Sequence, residues 1–243
     1  MNKTAREAVD FIEMVLPLLE GFTSNLYLAV SYTSIAPASQ AAKNTPIVIG
    51  AQNMHEARDG AFTGEMSSLM LKEAGASFVI LGHSERRVLF GEDDARIHKK
   101  VVRALADDLI PILCVGETLE ERAADQTEKV LKKQLKAALN HISKEDAEKI
   151  LIAYEPVWAI GSGTSATPEI AQVAHSFIRA EITHLLGKHS AEKIAILYGG
   201  SVSAENVHSL LAKEEIDGFL IGGASLDPLS FSTIAKINKK KKP

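Results

Sequence analysis

The chain has 243 residues, of which 46% are hydrophobic and 24% charged, a balance typical of a soluble globular protein. Its 27 Lys and Arg against 31 Asp and Glu give a net charge of −4, which predicts no general attraction to nucleic acid or to an anionic membrane. The single cysteine, Cys114, excludes an internal disulfide and a Cys-based zinc or redox module. We therefore expect a cytoplasmic protein without a metal site.

The first segment has the apolar periodicity of a helix. Ala8, Ile12, Val15 and Leu19 fall on one face, and Pro17 is expected to kink or end the helix. Acidic residues interrupt this segment, which argues against a signal peptide. No apolar run reaches the roughly 20 residues of a membrane helix, so we expect no membrane partner.

Seven short apolar segments follow, each before a helical stretch. They are nearly continuous in hydrophobicity, as expected for parallel strands buried on both faces. Helix starts are predicted by a capping box at Thr118 and by the pairs Thr167-Pro168 and Asp227-Pro228. This alternation favours a (β/α) barrel over an open sheet. The predicted strands are 26–30, 47–51, 78–82, 110–115, 151–154, 194–198 and 218–221.

One strand is missing from this pattern, because a helix precedes seven strand–helix units where a (β/α)8 barrel has eight. We expect residues 1–243 to form a single barrel domain that is truncated at its N-terminus and lacks its first strand. Such a sheet would have two unpaired edges. A start codon assigned too late, a shortened gene product or a strand supplied by a partner would each explain the pattern, and we favour the first.

Candidate site residues follow the carboxyl ends of the predicted strands, where parallel barrels bind ligands. His83 ends one strand and precedes Ser84-Glu85, which can begin a helix whose positive end would keep the imidazole neutral. That arrangement predicts an electrophile that donates a hydrogen bond. Considered alone, His83 fits an ordinary partly buried histidine better than a catalytic one.

Glu155 ends another strand and precedes a segment that resembles a lid. Proline and tryptophan lie at one end of that segment and Gly161 and Gly163 near the other, as in a rigid body with a flexible hinge. Closure over the carboxylate would expel water and strengthen it as a base. The alternative is an ordinary surface or ion-paired glutamate.

Glycine pairs follow the last two strands. Gly199-Gly200 follow the strand 194–198 and precede Ser201. Gly222-Gly223 follow the final strand, 218–221. Barrel enzymes often bind phosphate with these two loops, because main-chain N–H groups without nearby side chains can approach the anion. Tight turns are the alternative explanation.

Five segments resemble the triosephosphate isomerase family in their order and spacing: AQNMHEARDGAFTGE, GHSERR, AYEPVWAIGSG, YGGS and GGASL. The similarity extends from Met1 to about Ile237. It implies a TIM barrel that interconverts dihydroxyacetone phosphate and glyceraldehyde 3-phosphate through an enediol, without a cofactor, in glycolysis and gluconeogenesis. The segment AYEPVWAIGSG is by itself highly specific.

The resemblance also implies roles for individual residues. Glu155 would abstract the carbon-bound proton, His83 would polarise the carbonyl, and Glu85 would support the histidine; a glutamate base with a neutral histidine is a known arrangement of this enzyme. The lid would extend from Pro156 to about Ala166. The implied phosphate ligands are Gly161, Ser201, Gly222 and Gly223.

A homodimer is implied by the loop at 52–66, in which Thr63 would lie near the active site of a second copy. From the residues alone, this loop fits a surface turn equally well.

One departure is serious: the family's Asn-x-Lys motif, whose lysine is the active-site cation, is absent, and Lys3 is no substitute. A catalytically weak or inactive barrel that only binds phosphate ligands is therefore the alternative function. Another sugar-phosphate barrel enzyme would need a strand-end lysine that the sequence lacks.

Overall fold

The computed structural model describes residues 1–22, 26–160 and 166–237. Within these residues, seven strands alternate with helices in chain order. The strands are β1 (Leu26–Val30), β2 (Ile47–Ala51), β3 (Phe78–Leu81), β4 (Ile110–Val115), β5 (Leu151–Tyr154), β6 (Ile196–Tyr198) and β7 (Gly218–Phe219).

The helices surround the sheet, and three short 3₁₀ turns occur at Tyr32–Ser34, Val157–Ala159 and Gly223–Leu226. The α-helices of the described residues are α1 (Ala5–Leu18), α2 (Ile35–Ala41), α3 (Ser68–Glu73), α4 (Ser84–Leu89), α5 (Asp94–Ala106), α6 (Leu119–Ala123), α7 (Thr127–Ala138), α8 (Lys144–Ala147), α9 (Pro168–Leu186), α10 (Lys188–Lys193), α11 (Val207–Leu211) and α12 (Pro228–Ala235).

All strand pairs are parallel, and the strand order is the chain order from β1 to β7. Alternate residues of β3, β4 and β5 point into two different cores, because successive side chains of a strand face opposite sides of the sheet. The inner cluster contains Phe78, Ile80, Ile112, Cys114 and Ala153. Their neighbours in sequence belong to the larger core between sheet and helices. Burial on both faces is therefore confirmed for β3, β4 and β5, whereas both residues of β7 are half-buried.

The two end strands differ from the interior ones. Among the described residues, β1 pairs with β2 and β7 pairs with β6, and the outer edge of each carries no further strand. The helical layer nevertheless continues across this interval, since α1 packs against both α2 and α12. The rings of Phe11 and Phe231 lie 5.9 Å apart at the contact between α1 and α12. The prediction of one helix followed by seven strand–helix units is confirmed.

The predicted helix starts are also confirmed. The Thr118 side chain accepts a hydrogen bond from the N–H of Glu121, whose carboxylate accepts one from Thr118 N–H in return. Thr167 caps α9 and Asp227 caps α12, each with proline at the first helical position. Helix α1 continues one residue beyond Pro17 and ends at Leu18.

Three predicted strands are longer than the observed ones, at 78–82, 194–198 and 218–221. The first ends early because Gly82 has a φ of 71°, outside the extended region. The other two reduce to β6 and β7, with three and two residues. No helix in the described part of the chain has the length and hydrophobicity needed to cross a membrane.

Candidate active site

The ends of β3 and β5 bring His83 and Glu155 into contact. His83 Nε2 lies 2.9 Å from Glu155 Oε1. The other carboxylate oxygen, Oε2, accepts a hydrogen bond of 2.9 Å from the N–H of Ser84. The Glu155 side chain is only 2% exposed, whereas the His83 ring is 28% exposed. The two residues predicted to act on one substrate therefore lie together, with the imidazole partly open to solvent.

His83 caps the first turn of α4, and this fixes the orientation of its ring. The Nδ1 atom accepts a hydrogen bond of 3.3 Å from the N–H of Glu85. A nitrogen that accepts from an amide carries no proton, so the neutral ring has its proton on Nε2. That proton points to Glu155, which makes Nε2–H the donor of the site.

Effects of opposite sign act on the pKa of His83. Burial lowers it, but the hydrogen bond and negative charge of Glu155, together with the charge of Glu85, raise it more, so the pKa lies above its ordinary value. The neutral imidazole expected at this helix start stays a prediction, because the charge of Glu155 also acts on the ring. The helix start selects the tautomer, and the neighbouring carboxylate raises the pKa.

Glu85 contacts the histidine through its main chain. Its carboxylate Oε2 is 4.0 Å from His83 Nδ1, and the side chain is 70% exposed. Sequence reasoning assigned the supporting role to the carboxylate, whereas the structure brings the amide N–H to the ring and leaves the carboxylate near its edge.

The end of β4 holds the main chain of Glu155. The Glu155 N–H donates to Val115 O over 2.8 Å, and the Val157 N–H donates to Glu117 O over 3.2 Å. Between these contacts, Gly116 lies so close that an added Cβ would be 1.8 Å from Glu155 O. The side-chain amide of Gln134 accepts from Gly116 N–H over 2.8 Å and donates to Gly116 O over 3.1 Å.

A buried carboxylate, Glu117, anchors the start of the predicted lid. Its Oε1 accepts hydrogen bonds from Tyr154 OH over 3.1 Å and from Trp158 Nε1 over 2.9 Å. The Arg122 guanidinium is 3.3 Å from the same oxygen and lies 4.4 Å from the Trp158 ring centroid. Burial and the nearby Glu117 raise the pKa of Tyr154. Trp158 is therefore held by hydrogen bonding and stacking at the start of the predicted lid.

Sequence reasoning missed Glu117, Gly116 and Gln134. One signal was available for the first two, because Gly116-Glu117 directly follow the strand 110–115, at the same rim as His83 and Glu155. Nothing in the local pattern distinguishes Gln134, which lies on the buried face of α7.

The predicted phosphate ligands lie on the loops after β6 and β7. Ser201, Gly222 and Gly223 are exposed, and a Cβ added to either glycine would meet nothing within 4 Å. The loop after β6 adjoins Glu155, since the N–H of Gly199 donates to Tyr154 O over 2.7 Å. The open main chain suits the approach of an anion. Gly161, the remaining predicted ligand, lies outside the described residues.

The predicted dimer loop is exposed from Arg58 to Glu65, which includes Thr63. The Phe62 side chain is exposed, and its ring centroid lies 4.1 Å from that of His55. Two contacts connect this loop to helix α5. Lys100 Nζ donates to Asn53 over 2.9 Å, and Arg96 is 3.3 Å from Glu56. Apolar residues at the end of α4 are also exposed: Val88, Leu89 and Phe90.

Comparison with known proteins agrees with this geometry. The family model described as Triosephosphate isomerase matches residues 1–238. Among relatives named triosephosphate isomerase, the protein of Protochlamydia amoebophila is 50% identical over 234 residues, which cover 96% of this chain and 89% of that protein. That of Endomicrobium trichonymphae is 47% identical over 241 residues, covering 98% and 96%. That of Clostridium botulinum, strain Langeland, is 45% identical over 234 residues, covering 96% and 94%. Sequence, fold and site geometry thus agree that the chain belongs to the triosephosphate isomerase family, whose (β/α) barrel fold it shares.

Proposed function

We propose that this chain is a cofactor-independent isomerase that interconverts dihydroxyacetone phosphate and glyceraldehyde 3-phosphate. The observation that carries the proposal is the 2.9 Å contact between the buried Glu155 carboxylate and Nε2 of His83 at the carboxyl ends of two parallel strands. The carboxylate would abstract the proton from the substrate carbon. The Nε2–H of His83 would donate to the carbonyl oxygen, which becomes a hydroxyl of the enediol.

The electrostatics of the pair support this division of roles. While Glu155 is ionised, its charge helps to raise the pKa of His83 against the effect of burial. Once Glu155 has taken the substrate proton, that charge is gone, and burial favours the neutral ring. A neutral ring with its proton on Nε2 is the donor that the enediolate oxygen requires.

The phosphate group of the substrate would bind to main-chain N–H groups at Ser201, Gly222 and Gly223, together with Gly161. The exposed position of the first three residues, and the free space above both glycines, support this part of the proposal. Main-chain donors hold an anion without a positively charged side chain. An acidic protein can therefore bind a phosphorylated substrate.

Among the described residues, the charged groups found to act on His83 include no lysine or arginine. These charged groups are the carboxylates of Glu155 and Glu85. Lys3 Nζ lies 4.9 Å from the ring centroid of Phe11. A cation about 4 Å from a phosphate oxygen contributes roughly 4 kcal/mol at an effective dielectric constant of 20. An added N-terminal strand ending in Asn-x-Lys should therefore raise kcat/KM by about 1,000-fold. The same extension with Asn-x-Met is the matched control.

Solvent exchange tests the central step directly. In D₂O, the chain should incorporate deuterium from solvent into the substrate carbon, because the abstracted proton passes through Glu155. Isomerisation is measured on the same sample with a coupled assay, and phosphoglycolate binding by calorimetry. Micromolar binding without deuterium incorporation, in the chain and in its Asn-x-Lys extension, would reject the isomerase and leave a phosphate-binding barrel.

We further propose that the protein is a cytoplasmic homodimer formed through the loop around Thr63. The exposed Phe62, together with the exposed apolar residues Val88, Leu89 and Phe90, supports an interface on this side of the molecule. Substitution Thr63→Arg should give a monomer in sedimentation velocity. Val173→Arg, on the exposed face of α9, is the control and should leave the dimer intact. A monomeric unsubstituted chain would refute this proposal.

A further inference from the structure

Arg87 occupies a position that the reaction scheme does not use. It lies in the last turn of α4, four residues after His83, and its side chain is 17% exposed. The Nε–H donates to Gly82 O over 2.8 Å, and a terminal N–H donates to Cys114 O over 3.1 Å. The other terminal nitrogen forms an ion pair of 2.7 Å with Asp94 at the start of α5.

These contacts connect the two halves of the catalytic pair. Gly82 is the residue directly before His83, at the point where the chain leaves β3. Cys114 directly precedes Val115, whose carbonyl accepts the Glu155 N–H. One guanidinium therefore links the peptide group before His83 to the strand that holds Glu155.

The regular ladder between β3 and β4 does not provide this link. Its last paired residues are Leu81 and Leu113, one residue short of the two carbonyls that Arg87 binds. The planar fork of arginine can donate to both carbonyls and to Asp94 together, which the single ammonium group of lysine cannot reproduce.

We propose that Arg87 is a positioning residue of the active site, which sets the contact between His83 and Glu155 by binding the carbonyls of Gly82 and Cys114. This inference rests on the proposed isomerase function. A shift of about 1 Å between reacting groups can lower a rate by about 100-fold. Loss of the Arg87 contacts is therefore expected to affect turnover more than substrate binding.

Arg179 is a matched control on another part of the barrel. It also binds two main-chain carbonyls, those of Ala191 and Ile194, and forms ion pairs with Glu215 at 3.0 Å and Asp217 at 2.7 Å. Its side chain is 18% exposed, almost the same as that of Arg87. These contacts lie before β6 and β7 begin, at the amino ends of the strands and away from the catalytic pair.

The kinetic test compares Arg87→Lys with Arg179→Lys. Both variants should unfold at lower temperature, because each loses carbonyl contacts. Only Arg87→Lys should lower kcat, by about 10- to 100-fold, with KM unchanged within about twofold because the loops after β6 and β7 keep their structure. Equal kcat losses in both variants, or a change confined to KM, would overturn the proposal.

A second readout does not depend on turnover. Two carboxylates face the His83 ring, Glu155 from the end of β5 and Glu85 from α4. Lysine preserves the charge at position 87, so a loosened contact with Glu155 should lower the His83 pKa in Arg87→Lys, seen in ¹⁵N NMR titration of the imidazole. Arg179→Lys should leave the titration unchanged. An unchanged titration in Arg87→Lys would overturn the positioning role, whereas the expected shift without any turnover in the parent chain would instead refute the isomerase function.

If Arg87→Lys does not fold, Asp94→Asn decides the question. It removes the charged partner of Arg87 and leaves the guanidinium in place. Its effects on kcat and on the His83 pKa should have the same direction as those of Arg87→Lys. They should be smaller, with kcat lowered about threefold. Asp94 is also 3.6 Å from Lys133, so Lys133→Gln is the control for that second contact. A normal His83 titration in Asp94→Asn would then overturn the proposal.

Discussion

The interior of the sheet and its β6–β7 end contribute to the site in different ways. At the interior, strands β3 to β5 have four to six residues and are paired on both sides. Their ends place two side chains, His83 and Glu155, in direct contact. At the other end, β6 has three residues and β7 two, and the loops that follow contain the exposed residues Ser201, Gly222 and Gly223.

This difference matches the chemistry proposed for each region. Proton transfer needs two side chains at a fixed separation, and buried, fully paired strands limit their movement. Phosphate binding needs main-chain N–H groups that a ligand can approach, and short strands followed by glycines leave such groups open. Substitutions in the interior should therefore change kcat or stability, and substitutions at the β6–β7 end should change KM.

The largest effect is expected for Glu155→Gln. The amide can still accept from the Ser84 N–H but cannot take a proton from carbon, so kcat should fall by about 1,000-fold or more in the coupled isomerase assay. Glu145→Gln, on the short helix α8, is the control and should retain full activity. Comparable turnover in Glu155→Gln and the parent chain would show that the buried carboxylate is not the base.

Gly116→Ala tests the interior through the main chain. The added methyl would lie 1.8 Å from Glu155 O, so β4 and β5 must separate. Overpacking of this kind should cost about 3 kcal/mol in the free energy of unfolding, measured by urea denaturation. The displaced carboxylate should also lower kcat by at least tenfold. Stability and kcat both near those of the parent would mean that this contact does not hold the site.

The features that sequence predicted correctly depend on local patterns. The capping box at Thr118 involves residues three apart, and the strands are continuous apolar segments. The position of Glu155 and His83 at one rim follows from the parallel order of the strands. These features require no knowledge of which side chains meet across the sheet.

The features that sequence missed depend on contacts between distant segments. Gln134 binds Gly116 from 18 positions away, and Trp158 binds Glu117 from 41 positions away. The raised pKa of His83 has the same origin, because Glu155 comes from a different strand. The helix start was visible in the sequence, but the size of the opposing effect of Glu155 requires the folded geometry.

Gly223→Ala tests the β6–β7 end through the same two measurements as Gly116→Ala, the free energy of unfolding and the steady-state kinetics. A methyl here would meet no protein atom within 4 Å, so the free energy of unfolding should stay within about 0.5 kcal/mol of the parent value. The methyl would occupy space that the phosphate needs, and KM should rise by about tenfold with little change in kcat. A loss of kcat without a change in KM would contradict the assignment of this loop to phosphate binding.

The smallest effect is expected in the pH dependence of stability. The pKa of His83 is raised in the folded protein, chiefly by Glu155 against the opposing effect of burial. The resulting stabilisation is present in full below the unfolded-state pKa of about 6.5 and is lost as pH rises through the raised folded-state value. His83→Asn removes this titration and keeps a side-chain oxygen that can cap α4. The difference in the free energy of unfolding between parent and variant should therefore become smaller as pH rises in this range. This change should be smaller than the loss of unfolding free energy expected for Gly116→Ala. A difference that widens would mean that burial, rather than Glu155, dominates the pKa of this histidine.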